Sequence, residues 1–154
     1  MSPDLWRFSL DLYAKPGVEA ACLASQEAGI NVCLLLCSLW LDQRGVPCSE
    51  PRLHTLRPLA KAWDAEVVRP LRSLRRQWKT MAQQDPALDN LREQVKRLEL
   101  EAERRLLERL EAAAKDWPPA QHEGSAQWLQ ALAASVEPAH HDALHQLRVV
   151  VSGT

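Results

Sequence analysis

The residues best suited to chemistry are basic ones, clustered between positions 57 and 79. Seven Lys or Arg side chains stand there against two acids, Asp64 and Glu66. Spacings of three and four residues bring side chains to one face of a helix. Such a face is shared by Arg69, Arg72, Arg76 and Lys79. Arg75 lies at its edge, and Trp78 is nearby. This basic strip could bind the phosphates of a nucleic acid or an acidic protein surface.

The same strip has a plainer interpretation, in which its charges serve only the protein itself. The next helix carries many acids, and surface ion pairs between neighbouring helices are common though weak. In that case the strip faces water or pairs within the chain. The acids considered as its partners are Glu99, Glu101, Glu103 and Glu108.

Histidine and cysteine pairs give weaker signals. His141 and His145 stand four residues apart, a spacing that can place two imidazoles on one metal ion. Neither a His-Glu-x-x-His motif nor a nearby cysteine supplies further ligands, so we expect solvated histidines and no metal. Cys33 and Cys37 share a helix face inside an apolar run, where core packing is commoner than redox chemistry. No cofactor is predicted.

Motifs of familiar enzyme sites are missing from the sequence. It has no Gly-rich phosphate loop, no Gly-x-Ser-x-Gly elbow and no aspartate-rich pair for magnesium diphosphates, so we predict a non-enzymatic protein. A small-molecule binder or enzyme stays open as an alternative, with a pocket among the N-terminal helices. A polar, solvent-reachable cavity beside the pocket residues would favour it, and a filled core would not. Those residues are Tyr13, Gln26, Asn31 and Trp40.

Composition predicts an all-α protein. Helix formers dominate the 154 residues, and the β-branched residues that favour strands are few. The length fits one domain, so we predict a single compact bundle of five to seven helices over 1–154. The formal net charge is only -1, and no global excess of charge calls for nucleic acid or an anionic membrane.

Residues 30–44 are predicted to form the central buried helix. Ten of the twelve side chains from Ile30 to Leu41 are apolar, and a segment apolar nearly all round must be covered on several sides. Asn31 can cap this helix and Gly45 can follow its end. The run is shorter than the ~20 residues that span a bilayer, so no membrane association is predicted. No secretory signal is visible before the four cysteines, which favours a reduced, cytoplasmic protein.

The remaining elements follow from caps, prolines and apolar spacing. Ser2 is predicted to cap the first helix, with Pro3 at its first position. Pro70 predicts a kink at 66–69 or two consecutive helices. The predicted elements are three short helices in 1–45, a linker or single turn in 46–57, a kinked basic helix in 58–81, a long amphipathic helix in 86–114, and two C-terminal helices in 125–150, the first capped by Ser125.

Two stretches of the first half resemble a family of short, uncharacterised bacterial proteins, a domain of unknown function. One is Leu5-Trp6-Arg7-Phe8-Ser9-Leu10-Asp11-Leu12-Tyr13-Ala14-Lys15-Pro16-Gly17-Val18. The other runs from Gln26 through Gly29-Ile30-Asn31-Val32-Cys33-Leu34-Leu35-Leu36 to Trp40-Leu41 and Gly45. The family pattern has aspartate at the position of Asn31 and asparagine at that of Cys33. The resemblance implies a small cytoplasmic helical protein and no established activity.

The leading functional hypothesis is a helical interaction or regulatory protein. It would contact a protein or ribonucleoprotein partner through the basic strip, aided by any of the six tryptophans that is partly exposed. Direct RNA or DNA binding by the helix at 69–79 is the first alternative, and the N-terminal pocket is the second. The oligomeric state is left open.

Overall fold

The chain is all-α, as predicted, over residues 4–120 and 126–152, which a computed structural model describes. The helices are more numerous than the predicted five to seven, because the basic segment is divided into several pieces. Their bounds, α1 to α9 in order, are Leu5–Tyr13, Val18–Glu27, Val32–Gln43, Glu50–Trp63, Arg69–Gln77, Lys79–Ala82, Pro86–Ala114, Gln127–Ala133 and His141–Ser152. A π-helical segment, Asp64–Val68, joins α4 to α5, and a 3₁₀ turn, Pro138–His140, precedes α9.

Helix α3 lies at the centre of the molecule. Every residue from Cys33 to Asp42 is buried, because α1, α2, α4, α7, α8 and α9 all pack against it. The predicted cap is confirmed: the Asn31 side chain accepts a hydrogen bond from the backbone N–H of Leu34 at 3.0 Å. Cover on all sides accounts for a helix without a polar face.

Two helix starts differ from the sequence prediction. Asp4 caps α1 by accepting from the N–H of Arg7 at 2.7 Å, whereas the predicted cap Ser2 and Pro3 lie outside the described residues. The predicted linker at 46–57 was wrong, since α4 begins at Glu50. Ser49 caps it, and Pro51 occupies the first turn, where no backbone N–H is needed.

The α-helical pattern breaks just before Pro70, where the sequence predicted an irregularity. Pro70 has no N–H to donate to the carbonyl four residues earlier. The chain forms a π turn instead, in which the N–H of Arg69 donates to the carbonyl of Asp64, five residues back. Two consecutive helices, α4 and α5, therefore replace one regular helix.

Helices α5 and α6 run back along the first half of α7 and form a hairpin with it. Residues 61–105, all of them described, contribute no buried member to the main core. The predicted apolar stripe of α7 is consequently buried only in part: Leu91 is 50% exposed and Leu98 56% exposed. We attribute this to the short α5 and α6, which cover only one side of α7.

The C-terminal helices close the body around α3. Asp42 of α3 accepts from the N–H groups of Trp128 and Leu129 at 2.9 and 3.0 Å, and so caps α8. The Trp128 indole N–H donates to the carbonyl of Val46 at 2.8 Å. The predicted cap Ser125 lies outside the described residues. Among the helices of the described ranges, none has the length and apolar character needed to cross a membrane.

Candidate functional site

The residues of the predicted basic strip do not line one continuous surface. Three of its members, Arg69, Arg72 and Arg76, line a groove between the hairpin and the main body. Arg75 lines a separate, shallow depression between α5 and α7. The remaining two strip residues line neither cavity: half-buried Trp78 and exposed Lys79.

The groove is an open cavity of about 1110 Å³. One wall is the turn between α2 and α3, the opposite wall is the segment from α4 to α5, and the end of α8 closes a third side. The apolar lining residues are Ala28, Ile30, Val32, Leu34, Leu132 and Val136. Ile30, Leu34 and Leu132 are buried, so these side chains form a floor. The charged lining residues are Arg57, Lys61, Arg69, Arg72 and Arg76, with the acids Glu27 and Asp64.

Among the described residues that line the groove, five are basic and two are acidic, so its charge balance is positive. Concave surfaces focus the field of the charges that line them. Lys61 and Arg76 are exposed and make no ion pair with any residue of 4–120 or 126–152. Within 4–120 and 126–152, Arg57 donates to a backbone carbonyl, that of Ala131, at 3.2 Å and forms no ion pair. The groove is therefore suited to an anionic occupant.

The other two groove arginines are held by internal carboxylates. Arg69 Nε lies 2.6 Å from Asp64 Oδ2. Arg72 Nε lies 3.1 Å from Glu99 Oε2, and its Nη2 lies 3.7 Å from Glu103 Oε1. The sequence-based alternative of pairing with the next helix thus applies to Arg72 and Arg75, while other members of the strip stay open to solvent.

Glu99 is a buried carboxylate between two guanidiniums. Burial acts to raise its pKa, but the hydrogen bonds and charges of Arg75 and Arg72 outweigh burial and leave the pKa below the usual range. Arg75 Nε donates to Glu99 Oε1 at 2.6 Å, and the same carboxylate raises the pKa of Arg75. Glu99 and Arg75 therefore stay charged at neutral pH, and the contacts of Glu99 with both arginines hold α5 against α7.

Asn31 ties the two walls of the groove together. Its Oδ1 caps α3, and its Nδ2 donates to the carbonyl of Ala60 in α4 at 3.2 Å. The N-terminal turn of α3 thus lies at the groove, with Asn31, Val32 and Leu34 among the lining residues. A helix N-terminus carries partial positive charge, which adds to that of the basic side chains.

A small cavity of about 40 Å³, with a mixed polar and apolar lining, adjoins the groove and shares with it Gln26, Asn31, Val32, Asp64 and Arg72. Glu103 lines this inner cavity, and burial, helped by the charges of Glu99 and Asp64 and opposed by Arg72, raises its pKa to about 7. The Cys33 thiol donates to the backbone carbonyl of Glu103 at 3.6 Å. Burial also raises the pKa of Cys33 well above its ordinary value, so the thiol stays protonated.

Three of the four predicted pocket residues meet at the inner cavity: Tyr13, Gln26 and Asn31. The fourth, Trp40, does not line either cavity. It lies nine residues beyond Asn31 on α3, roughly 13 Å along the helix axis. It is buried, and the guanidinium of Arg44 stacks on its ring at 4.5 Å.

Histidines and cysteines form no metal centre in the part of the chain that the structure describes. His141 Nε2 lies 2.8 Å from the carbonyl oxygen of Ala133 and 3.1 Å from that of Val136, whereas His145 is exposed. Cys33 and Cys37 are buried free thiols. The groove could hold an anionic cofactor through its arginines, but the cysteines and histidines of the described residues lie outside it.

Most tryptophans are covered rather than open to a partner. Trp128 is fully buried and stacks on Trp117 at 5.8 Å. Arginine guanidiniums lie over four of the six indoles, at 4.1 to 5.1 Å from the ring centroids. These four are Trp6, Trp40, Trp63 and Trp117. We therefore do not count them among the binding residues.

Sequence reasoning missed two parts of the groove. Arg57 and Lys61 were counted as basic but left outside the strip, because the start of α4 was missed. The pattern Ser49-Glu50-Pro51, a capping serine before an early proline, was the available signal. Leu132 and Val136 come from the end of α8, and no local pattern could bring them beside α3.

The fold and the groove together define an all-helical protein with an open, basic cleft. The chain belongs to the family described as "Protein of unknown function (DUF2390)", whose family model matches residues 4–110. This confirms the resemblance to an uncharacterised family, and the matched range includes every charged residue that lines the groove. No curated protein and no solved structure matches the chain.

Proposed function

We propose that this is a non-enzymatic interaction protein that holds an acidic segment of a partner protein in the groove. One observation carries the proposal. The described residues that line the groove include five bases and two acids, and Lys61 and Arg76 have no ionic partner among the described residues. Charge complementarity of this kind mainly provides specificity and fast association.

The open shape and the lining of the groove favour a peptide segment. Its volume of about 1110 Å³ is close to the ~300–1000 Å³ usual for small-molecule pockets, so volume alone fits either occupant. Its apolar floor suits apolar side chains that alternate with acids. Proteins that hold single-stranded nucleic acid usually stack its bases on aromatic rings. No aromatic side chain of the described residues lines the groove, which ranks nucleic acid second.

We extend the proposal to a cytoplasmic site of action. Four cysteines stand in the described part of the chain as free thiols, three of them buried. Free thiols are typical of proteins in reducing compartments. Action in the cytoplasm would also put the groove within reach of cytoplasmic acidic proteins.

The test is a binding titration with a labelled probe peptide. The probe has about ten residues, or ~33 Å when extended, with Glu alternating with Leu and Ala; a second probe carries Gln in place of Glu. Fluorescence anisotropy should show saturable binding of the Glu probe and at least about tenfold weaker binding of the Gln probe, because the charge contacts are lost.

Charge reversal in the groove supplies the decisive variant. Lys61→Glu with Arg76→Glu should weaken binding of the Glu probe by more than about tenfold. The matched control is Lys79→Glu with Arg97→Glu, an equal charge change at exposed residues outside the groove. Equal loss in both double variants would contradict the proposal, and so would tighter binding of a single-stranded oligonucleotide.

A small anionic molecule is a second candidate, favoured by the open basic groove, which Gln26 and Asn31 of the predicted pocket also line. Inorganic phosphate or citrate would then stabilise the native protein by mass action. The melting temperature should then rise with ligand concentration, and Gln26→Ala should abolish this rise. If the rise is equal in wild type and Gln26→Ala, the candidate is rejected.

A further inference from the structure

We infer that Asp64 is an intramolecular competitor, which a carboxylate of the partner must displace from Arg69; this rests on the proposed function of the groove. Asp64 is one of only two acids among the described residues that line the groove. Its Oδ2 lies 2.6 Å from Arg69 Nε. A carboxylate from the chain itself thus occupies the position that an acidic ligand would take.

The π turn creates this contact. In a regular α-helix, residues five apart point about 140° away from each other around the axis, so Asp64 and Arg69 would not meet. The N–H of Arg69 donates to the carbonyl of Asp64, and this wider turn brings the two side chains together. The π turn before Pro70 therefore makes Asp64 the carboxylate that pairs with Arg69 when the groove is empty.

The pair is placed so that it can exchange. The Arg69 side chain is 68% exposed, while that of Asp64 is 15% exposed. Ion pairs with so exposed a member contribute little, so a competing carboxylate can replace one. Arg72 differs, because its own side chain is only 16% exposed and its partner Glu99 is shared with Arg75. Arg69 is thus the exchangeable arginine of the groove, beside the open Lys61 and Arg76.

Neutralising Asp64 tests the inference. With the Glu probe at fixed salt, Asp64→Asn should tighten binding about fivefold, the effect of freeing one exposed ion pair. Glu27→Gln is the matched control, because Glu27 also lines the groove but pairs with no cation of the described residues. It should change the affinity less than about twofold, since Glu27 is exposed and occupies no cation, so that solvent screens its repulsion of the ligand.

A double-mutant cycle separates competition from a general charge effect. Arg69→Ala should weaken binding only slightly in the wild type, where Asp64 occupies the guanidinium, and several-fold more in the Asp64→Asn protein. Should Asp64→Asn disturb folding in a thermal melt, Asp64→Ser takes its place in the cycle.

The possible outcomes distinguish a failure of the inference about Asp64 from a failure of the proposed function. Saturable binding in which Asp64→Asn is no tighter than Glu27→Gln, or in which Arg69→Ala has the same effect in both backgrounds, overturns the inference and leaves the proposed function standing. No saturable binding of the Glu probe by any variant overturns both.

Discussion

Glu99 Oε1 accepts from Arg75 Nε over 2.6 Å, while the other oxygen of the same carboxylate accepts from Arg72 Nε over 3.1 Å. One buried acid of α7 thus holds two consecutive turns of α5. The hairpin that carries the groove wall has no share in the buried residues of the main core. This charged contact adds to the apolar packing of the hairpin, in which Val68, Ala82 and Val95 are buried.

Glu99→Gln should lower the free energy of unfolding by about 2–3 kcal/mol, because two partly buried guanidiniums lose their counter-charge. Urea denaturation followed by circular dichroism measures this. Glu93→Gln is the control: it removes an exposed pair with Lys96 and should change stability by less than about 0.5 kcal/mol. Similar losses in both variants would show that Glu99 has no special role.

The raised pKa of Glu103 predicts a pH-dependent stability. Its pKa in the folded protein is about 7, above the ordinary value of 4.5. The folded state therefore binds a proton that the unfolded state has released, and the free energy of unfolding falls as pH rises from 4.5 to 7. The Glu103 side chain is 34% exposed, so screening reduces the effect to about 1 kcal/mol.

Glu103→Gln tests this sign. The variant should gain about 1 kcal/mol of stability relative to wild type between pH 5 and pH 8, measured by urea denaturation at both values. The lowered pKa of Glu99 acts only at more acidic pH and does not interfere in this window. A difference between the two proteins that stays constant with pH would refute the assignment.

Asp42 should be the most important cap in the molecule, because it satisfies two N–H groups of α8 from inside the core. Asp42→Ala should cost about 2 kcal/mol, at the upper end for helix caps. Asp4→Ala removes the exposed cap of α1 and should cost about 1 kcal/mol or less. Thermal melts of both variants rank them, and a larger loss for Asp4→Ala would reverse the expected order.

Leucines of α3 and α7 should differ sharply in their contribution to stability. Leu35 is fully buried, so Leu35→Ala should cost about 3 kcal/mol through lost burial and a residual cavity. Leu98 is 56% exposed, so Leu98→Ala should cost less than about 0.5 kcal/mol. Chemical denaturation compares them. Comparable losses would mean that the exposed half of α7 is covered in solution.

The sequence was sufficient for the elements whose signals are local. An apolar run predicted central α3, and the long amphipathic helix predicted at 86–114 is α7, whose start is capped by the Asp85 carboxylate, which accepts from the N–H groups of Ala87 and Leu88. The all-α class followed from composition. By contrast, prolines at 47, 51 and 58 suggested a linker, although Pro51 is compatible with a first helical turn.

The groove was only half predictable. Periodicity assigned Arg69, Arg72 and Arg76 to one face of a helix, and these three do meet at the groove. Periodicity also included Lys79, which does not line the groove, because the helix is interrupted at Trp78, between α5 and α6. The placement of Arg57 and Val136 at the same cavity depends on tertiary packing, which local spacing does not encode.

The most direct test of the central claim is to map where the acidic Glu probe binds. Amide chemical shifts of the isotope-labelled protein are followed by NMR as the probe is added. We predict saturating changes that cluster at 26–34, 57–76 and 132–136, the three walls of the groove. Changes of equal size around exposed basic residues outside it, such as Arg97 and Lys115, or no changes at all, would contradict the account.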